Sequence, residues 1–231
     1  MADPAPASTP AVAPGPAIPA GVTLGSGVGR FIAFEGGEAS GKSTQAARLA
    51  ASLGAVLTRE PGGTDLGVHI RRLVLGPSDD DDGPGIRAEA LLLAADRAHH
   101  VASVIRPALL AGRDVVTDRY AGSSLAYQGY GRGLALEDVR WLSDWASEGL
   151  WPDLVILLDV NAEVARARLA ASGVGPDRLE AAGDEFHDRV ADGFRALAAA
   201  SPETWRVVDG GGDVDEVSAR IDKVVRAHLA P

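Results

Sequence analysis

The segment FIAFEGGEASGKST, residues 31–44, decides the fold of this chain. Its first residues, from Phe31 to Phe34, are apolar and predict a short buried strand, and the residues after Lys42 are typical of a helix. Between the two lies the spacing Gly-x4-Gly-Lys-Ser, which runs from Gly36 to Ser43. Glycines at a strand-to-helix turn let backbone N–H groups converge at the positive end of the helix dipole. The segment therefore predicts a phosphate-binding loop.

This pattern is the P-loop, and it assigns chemistry to two side chains. Its lysine reaches the β- and γ-phosphates of a nucleoside triphosphate, and the hydroxyl that follows binds Mg²⁺. Lys42 and Ser43 hold these positions. The alternative, a glycine-rich turn with a coincidental lysine, leaves the flanking strand and helix unexplained. We therefore predict ATP as phosphoryl donor, Mg²⁺ as cofactor, and an ATP-binding set of Gly36, Gly37, Glu38, Ala39, Ser40, Gly41, Lys42, Ser43 and Thr44.

Apolar runs and helical patterns alternate along the rest of the chain. Further strands are predicted at 55–58, 114–118, 154–159 and 205–209, and helices at 86–111, 135–149, 161–171, 183–200 and 214–229. Strands that are apolar on both faces and alternate with helices indicate a parallel sheet that is covered on both sides. The predicted fold is α/β, a three-layer P-loop NTPase fold with a five-stranded parallel sheet and helices on both faces.

Composition limits the domain count and the partners. The chain has 231 residues, of which 22 are basic and 32 acidic, and its net charge is −10. This charge argues against a broad surface for nucleic acid or anionic membranes. There is no cysteine, which excludes disulfides and fits a cytoplasmic protein. Residues 1–25 are rich in alanine and proline and are expected to be a disordered tail, and residues 26–231 are expected to form one domain that contains the P-loop.

Charged residues follow the predicted strands at the edge where ligands bind in open parallel sheets. Asp118 and Arg119 follow the third strand along the chain, and Arg59 follows the second. Asp118 is predicted to contact Mg²⁺ or to orient the accepting phosphate, although it could instead cap the turn. Two arginines beside a P-loop favour an anionic substrate over surface ion pairs. We therefore predict that Arg59 and Arg119 bind substrate.

The helix predicted at 86–111 offers a second kind of site. Leu93 and Arg97 are four residues apart and share one helix face, where an apolar wall beside a guanidinium group suits a nucleobase. The alternative is an arginine that extends from the core to solvent. His99 and His100 point in different directions and are interpreted as ordinary polar or packing residues. Pro107 is expected to end or bend the helix.

Four segments together resemble one enzyme family. They are GGEASGKSTQ, TREPGGT, DRYAGSSLAYQGYGRG and PDLVILLDV, and in this order they are similar to thymidylate kinases, which phosphorylate dTMP with ATP. The resemblance extends from about Phe31 to Asp209. A P-loop alone indicates only a nucleoside triphosphatase, whereas TREPGGT and the block around SLAYQG are far more discriminating.

The resemblance implies roles for individual residues. Glu38 matches the acid that contacts the deoxyribose hydroxyl, and Arg59 matches a ligand of the dTMP phosphate. Arg97 matches the arginine that reads thymine, and Gln128 lies near the base. Tyr127 matches the aromatic residue that disfavours a 2′-hydroxyl. The resemblance also places Asp118 and Arg119 near Mg²⁺ and the transferred phosphoryl group, and it implies a homodimer.

The chain departs from the family pattern at two places. Leu93 replaces an aromatic residue that commonly stacks on thymine. The P-loop has no arginine, so the catalytic arginine is expected in a mobile lid at about 170–183, where Arg178 is the candidate and Arg168, at the base of the lid, the reserve. Arg178 could instead pair with Glu180 or Asp177.

The sequence leads to one principal function and two alternatives. The principal prediction is phosphorylation of dTMP to dTDP by ATP and Mg²⁺, with Lys42, Asp118, Arg119 and Arg178 as catalytic residues. The first alternative is another small nucleotide or nucleoside kinase. The second is an ATP-binding switch without turnover, which the sparse lid leaves open.

Overall fold

The computed structural model describes residues 27–76, 83–172 and 177–229. The tail predicted at 1–25 and part of the predicted lid therefore lie outside the described residues. Within them, no helix is both long enough and apolar enough to cross a membrane.

Five strands form one parallel sheet in the order β2-β3-β1-β4-β5. Their bounds are β1 Phe31–Glu35, β2 Val56–Arg59, β3 Val115–Asp118, β4 Leu154–Asp159 and β5 Trp205–Asp209. The register pairs Phe34 with Asp118, and Arg59 with Asp118 on the other side. The ends of β1, β2 and β3 therefore lie side by side, and the predicted five-stranded parallel sheet is confirmed.

Helices cover both faces of this sheet. They are α1 Lys42–Leu53, α2 Asp65–Leu75, α3 Ile86–His100, α4 Arg106–Leu110, α5 Ala121–Ser124, α6 Leu136–Ser147, α7 Ala162–Ser172, α8 Asp184–Ala200 and α9 Val214–Leu229. Two π-helical segments, Val101–Ile105 and Leu125–Gly131, continue α3 and α5, and a 3-10 turn spans Glu180–Ala182.

Alternate residues of β1 point to opposite faces and enter separate cores. Ile32 and Phe34 pack in the core beneath α1 and α9, and Phe31 and Ala33 pack against the helices that follow α3. A third core contains Tyr127 and residues of α8. Strands that bury both faces are fixed in register from both sides, which holds the strand ends that carry the site.

The structure decides one local alternative and adds one helix to the prediction. Pro107 does not end the helix: the chain passes from α3 through a π-helical turn, in which the Arg106 N–H donates to the Val101 carbonyl, into α4. The wider turn leads into the proline, which has no N–H to donate. The sequence prediction also lacked α2, although Thr64 caps its start by accepting a hydrogen bond from the Gly67 N–H at 2.9 Å.

Candidate active site

The P-loop spans the turn between β1 and α1 and is shaped by its glycines. Gly36 has a φ of 143°, and a Cβ at this position would lie 2.6 Å from the Leu158 carbonyl oxygen. Gly41, immediately before α1, has a φ of 95°. These are conformations that residues with a side chain rarely adopt. Glycine is therefore favoured at both positions by the backbone geometry of the loop, and at Gly36 also by the lack of space for a side chain.

Lys42 lies inside this loop and is almost fully buried. Its ammonium group donates to the Gly37 carbonyl and, at 3.1 Å, to the Ser40 hydroxyl. Burial and then the charge of Arg119 lower the pKa of Lys42 to about 8, although nearby carboxylates oppose the shift. Loop oxygens therefore hold the Lys42 ammonium group in a fixed position inside the P-loop.

Ser43 and Asp118 meet where the end of β3 approaches the start of α1. The Ser43 hydroxyl donates to Asp118 Oδ2 at 2.5 Å, and the other oxygen, Oδ1, is buried without a hydrogen-bond partner among the described residues. A hydroxyl and a carboxylate with a free oxygen are the hard donors that Mg²⁺ prefers. The two predicted metal ligands therefore fit the ion by chemistry and placement.

Arg119 connects the P-loop to the neighbouring cavity. It donates to the Gly36 carbonyl at 3.0 Å, to Glu38 Oε1 at 2.6 Å and to the Tyr127 hydroxyl at 3.1 Å. Its backbone has a φ of 70°, which is unusual for a residue with a long side chain. The strained backbone directs the guanidinium group between the two halves of the site.

Glu38 is the acidic member of this junction. It accepts a second hydrogen bond from the Tyr127 hydroxyl at 2.6 Å. Burial opposes its ionisation, but the charges of Arg119 and Lys42 outweigh burial and lower its pKa to about 2. Glu38 is therefore a carboxylate at neutral pH, and it can accept a further hydrogen bond from a substrate hydroxyl.

The cavity beyond Arg119 is built mainly from side chains, and we call it the acceptor cavity. Its lining includes Glu38, Arg71, Leu93, Asp96, Arg97, Arg119, Tyr127, Gln128 and Asp177. It thus brings together six residues that were predicted from widely separated parts of the sequence to bind substrate: Glu38, Leu93, Arg97, Arg119, Tyr127 and Gln128.

Buried charged groups hold Arg97 in the wall of the acceptor cavity. Arg97 donates to Glu60 at 2.9 Å, and it also donates to the hydroxyls of Ser143 and Ser124 at 3.2 and 3.1 Å. The other oxygen of Glu60 contacts His100 Nδ1 at 3.0 Å, and His100 Nε2 lies 2.6 Å from the Thr58 hydroxyl. This network orients the guanidinium group.

The structure distinguishes the two histidines that the sequence analysis treated alike. His100 is fully buried and links the end of β2 to the carboxylate that holds Arg97, whereas His99 is exposed. The sequence could not separate them because the partner, Glu60, lies 40 residues away.

A second network surrounds Glu89, which sequence reasoning did not select. This residue of α3 is fully buried. Its Oε1 accepts from Gln128 Nε2 at 2.8 Å, and its Oε2 accepts from Arg132 at 3.3 Å and from Arg178. A glutamate four residues before Leu93 on the same helix face was the available signal.

Neither Arg59 nor Arg178 is among the residues that line the acceptor cavity. Arg59 is exposed and does not line the acceptor cavity, whereas Arg71 of α2, which the sequence prediction missed along with α2 itself, does. Arg178 donates to Glu89 and to the Val74 carbonyl, and it pairs with neither Glu180 nor Asp177 among the described contacts. Its role at the transferred phosphoryl group stays a prediction.

Arg168, the reserve candidate, lies beside the P-loop. It donates to the Ser40 carbonyl at 3.3 Å and to the Gly210 carbonyl at 2.9 Å. It therefore ties α7 to the P-loop and to the loop after β5. Between α7 and α8 a cavity of about 520 Å³ reaches Gly37 and Glu38.

Comparisons with known proteins agree with this architecture. The family model described as thymidylate kinase matches residues 34–221. The thymidylate kinase of Leifsonia xyli subsp. xyli is 54% identical over 198 residues, which cover 84% of this chain and 92% of the relative. That of Clavibacter sepedonicus is 50% identical over 206 residues, or 87% of this chain and 95% of the relative.

A solved structure extends the comparison to three dimensions. The crystal structure of thymidylate kinase from Ehrlichia chaffeensis matches with a TM-score of 0.70 and 30% identity, over 86% of this chain and 99% of that one. The P-loop fold predicted from the sequence is thereby confirmed. The family model spans most of the chain and the two relatives are about 50% identical to it in sequence, so this chain belongs to the thymidylate kinase family.

Proposed function

We propose that this protein transfers the γ-phosphoryl group of ATP to dTMP and so forms ADP and dTDP, with Mg²⁺ as cofactor. The observation that carries the proposal is the position of Arg119, whose guanidinium group contacts both the P-loop and the Glu38–Tyr127 pair of the acceptor cavity. A phosphoryl transfer needs two anions held in line, and a cation at their junction serves both.

On the donor side, backbone N–H groups of the P-loop and the Lys42 ammonium group hold the β- and γ-phosphates. Ser43 and Asp118 would hold Mg²⁺, which neutralises charge on the phosphate oxygens when bound. Arg119 offsets the charge of the incoming dTMP phosphate, so the two anions can approach each other. Positioning and charge neutralisation supply most of the acceleration.

On the acceptor side, each part of dTMP has a matching group. The Glu38 carboxylate accepts from the 3′-hydroxyl of deoxyribose, and the Tyr127 ring lies where a 2′-hydroxyl would project. Arg97 and Gln128 bond to thymine, and Leu93 covers its face. Arg71 supplements Arg59 as a ligand of the monophosphate, since Arg71 lines the cavity.

We further propose that residues 26–231 form one kinase domain and that the lid at about 170–183 closes over the bound phosphates. In this account Arg178 leaves Glu89 on closure and meets charge that develops on the transferred phosphoryl group. Its present contacts are side-chain and carbonyl hydrogen bonds at a half-buried position, which closure can exchange.

A homodimer is also proposed, because neighbouring helices expose large apolar side chains. Leu66 and Leu73 on α2, Leu91 on α3, and Trp141 and Trp145 on α6 are all exposed, and α3 packs against both α2 and α6. Light scattering after gel filtration should give about twice the 23.7 kDa mass of the chain. We also propose a cytoplasmic location, which the absence of cysteine supports.

One experiment tests the proposed activity. ADP formation from ATP and Mg²⁺ should be measured with dTMP, dUMP, dCMP, UMP and thymidine as acceptors. We expect the highest kcat/KM with dTMP. A higher value with another acceptor would favour a different nucleotide or nucleoside kinase, and tight ATP binding without transfer to any acceptor would favour a switch.

A further inference from the structure

Gln128 lines the acceptor cavity, and its two amide atoms differ in their hydrogen bonding. The side chain is 1% exposed and lines the cavity with Leu93 and Arg97. Its amide nitrogen donates to Glu89 Oε1 at 2.8 Å, whereas its Oε1 is buried and has no partner among the described residues. A buried acceptor without a donor is uncommon in proteins and is expected where a ligand supplies the donor.

The orientation of this amide follows from the chemistry of its partner. A carboxylate can only accept hydrogen bonds, so Gln128 must turn its NH₂ group towards Glu89 and its carbonyl oxygen away. With a partner that could also donate, the amide could turn over and present its NH₂ group to the cavity. The identity of residue 89 therefore determines whether Gln128 offers a hydrogen-bond acceptor or a donor to the base.

Glu89 is itself held in place from several sides. Arg132 and, before the proposed lid closure, Arg178 donate to its Oε2, and the side chain is fully buried. Glu89, Leu93 and Arg97 follow one another at intervals of four residues and so share one face of α3. The same helix face thus carries the proposed base wall, the proposed base-reading arginine and the residue that orients Gln128.

We propose that Glu89 is a positioning residue that sets the nucleobase specificity of the enzyme by fixing the Gln128 carbonyl towards the base. Thymine and uracil carry N–H at ring position N3 and can donate to this oxygen. Cytosine has a lone pair at N3, so two acceptors would face each other and both would stay unpaired. The inference rests on the proposed function and extends it to a residue that does not touch the substrate.

The test is the Glu89→Gln variant, assayed with dTMP and dCMP. Because an amide at position 89 can donate as well as accept, Gln128 can turn over, and we expect the ratio of kcat/KM for dTMP to that for dCMP to fall about 10-fold or more. Arg132→Gln is the matched control, since it removes an ion pair from Glu89 and leaves the contact to Gln128. Its ratio should stay within about 3-fold of the unchanged protein.

A swapped pair separates orientation from anchoring. In Glu89→Gln/Gln128→Glu the residue facing the base is a carboxylate, which can only accept, so we expect the dTMP to dCMP ratio to return to within about 3-fold of the unchanged protein. The two arginines lose their carboxylate in both variants. If Glu89 served only to bind the two arginines, the dTMP to dCMP ratio of the double variant would fall as much as that of the single variant.

The outcomes are decisive even where folding interferes. The inference is overturned if the Glu89→Gln protein folds and its dTMP to dCMP ratio is unchanged. It is also overturned if the double variant folds and its ratio stays as low as that of the single variant. If the single variant does not fold, the ratio of the swap decides alone. Failure of the unchanged protein to phosphorylate dTMP would contradict the proposed function itself, which the panel of acceptors detects independently.

Discussion

The P-loop and the acceptor cavity meet at Arg119, but they are built in different ways. The P-loop is one continuous stretch, residues 36–44, in which glycine backbone geometry does most of the shaping. The acceptor cavity includes side chains from α2, α3, α5, the π-helical segment after α5 and the loops after β1, β2 and β3, and buried networks around Glu60 and Glu89 hold them. A backbone site tolerates little change at its few glycines, whereas a side-chain site distributes its specificity over many residues.

The contrast is tested most strongly at Lys42, the main charged side chain of the P-loop. Lys42→Ala should lower kcat about 10³-fold, because it removes the cation that faces the transferred phosphoryl group. Steady-state kinetics and thermal melting should be measured together, with a nearly unchanged melting temperature expected. Lys223→Ala, at an exposed position of α9, is the matched control. Normal turnover by the Lys42 variant would refute the P-loop assignment.

In the acceptor cavity, loss of one charge should damage stability as well as binding. Arg97→Met leaves Glu60 buried without its cation, and breaking such a pair costs about 3–5 kcal/mol. For a chain of this size this loss lowers the melting temperature by about 10 °C. The dTMP KM should rise as well. Arg226→Met, which removes an exposed ion pair with Asp222 at 3.8 Å, should change stability by less than about 0.5 kcal/mol.

Substitutions in the lid and in the acceptor cavity should differ in their effects on kcat and KM. If Arg178 meets the transferred phosphoryl group, Arg178→Ala should lower kcat about 10²-fold with little change in the KM for dTMP. Arg132→Ala removes the other guanidinium group from Glu89 and should largely retain kcat. A raised KM with normal kcat in the Arg178 variant would instead assign Arg178 to the acceptor cavity.

Glu35, at the end of β1, makes the free energy of unfolding depend on pH. Burial raises its pKa from 4.5 to about 7, despite hydrogen bonds from Ser123 and the Tyr120 N–H. The folded state then binds the proton more tightly than the unfolded state, so the free energy of unfolding falls as pH rises from about 4.5 to 7. Asp96, whose pKa is raised to about 6 chiefly by burial, acts in the same direction.

Melting temperatures from pH 5 to 8 test this effect of Glu35. The glutamine of Glu35→Gln is neutral at every pH, so the melting temperature of the variant should fall less with rising pH than that of the unchanged protein. The part of the fall that comes from Asp96, below about pH 6, should remain in the variant. Parallel curves for the two proteins would show that Glu35 does not titrate in this window.

The smallest effect is expected at Leu93. Leu93→Phe should improve stacking on thymine and lower the KM for dTMP by about 2- to 12-fold, which corresponds to roughly 0.5–1.5 kcal/mol. The KM for ATP should not change. If the larger ring overpacks the cavity, the variant loses about 1–3 kcal/mol of stability, which melting detects. A stable variant with an unaltered KM would show that Leu93 does not cover the base.

What the sequence predicted follows the same division between the two regions. The sheet and the P-loop depend on contiguous patterns, such as the apolar run from Phe31 to Phe34, and the structure reproduces the predicted strands. The roles of Glu89 and His100 depend on partners about 40 residues away, Gln128 and Glu60, and no local pattern reveals such pairs. The missed helix α2 lies between these two cases. Its capping residue Thr64 can be recognised in the sequence, but the helix has only 11 residues, so its apolar pattern is short.

The exposed aromatic surface of α6 also has an optical consequence. The rings of Trp141 and Trp145 are stacked at 6.3 Å with an interplanar angle of 11°, and both are about two-thirds exposed, whereas Trp151 and Trp205 are half-buried. The chain has four tryptophans, so half of its indole side chains lie on one exposed surface. Covering that surface would shift the emission to shorter wavelength and shield it from iodide, which gives the unlabelled protein an intrinsic signal for subunit association.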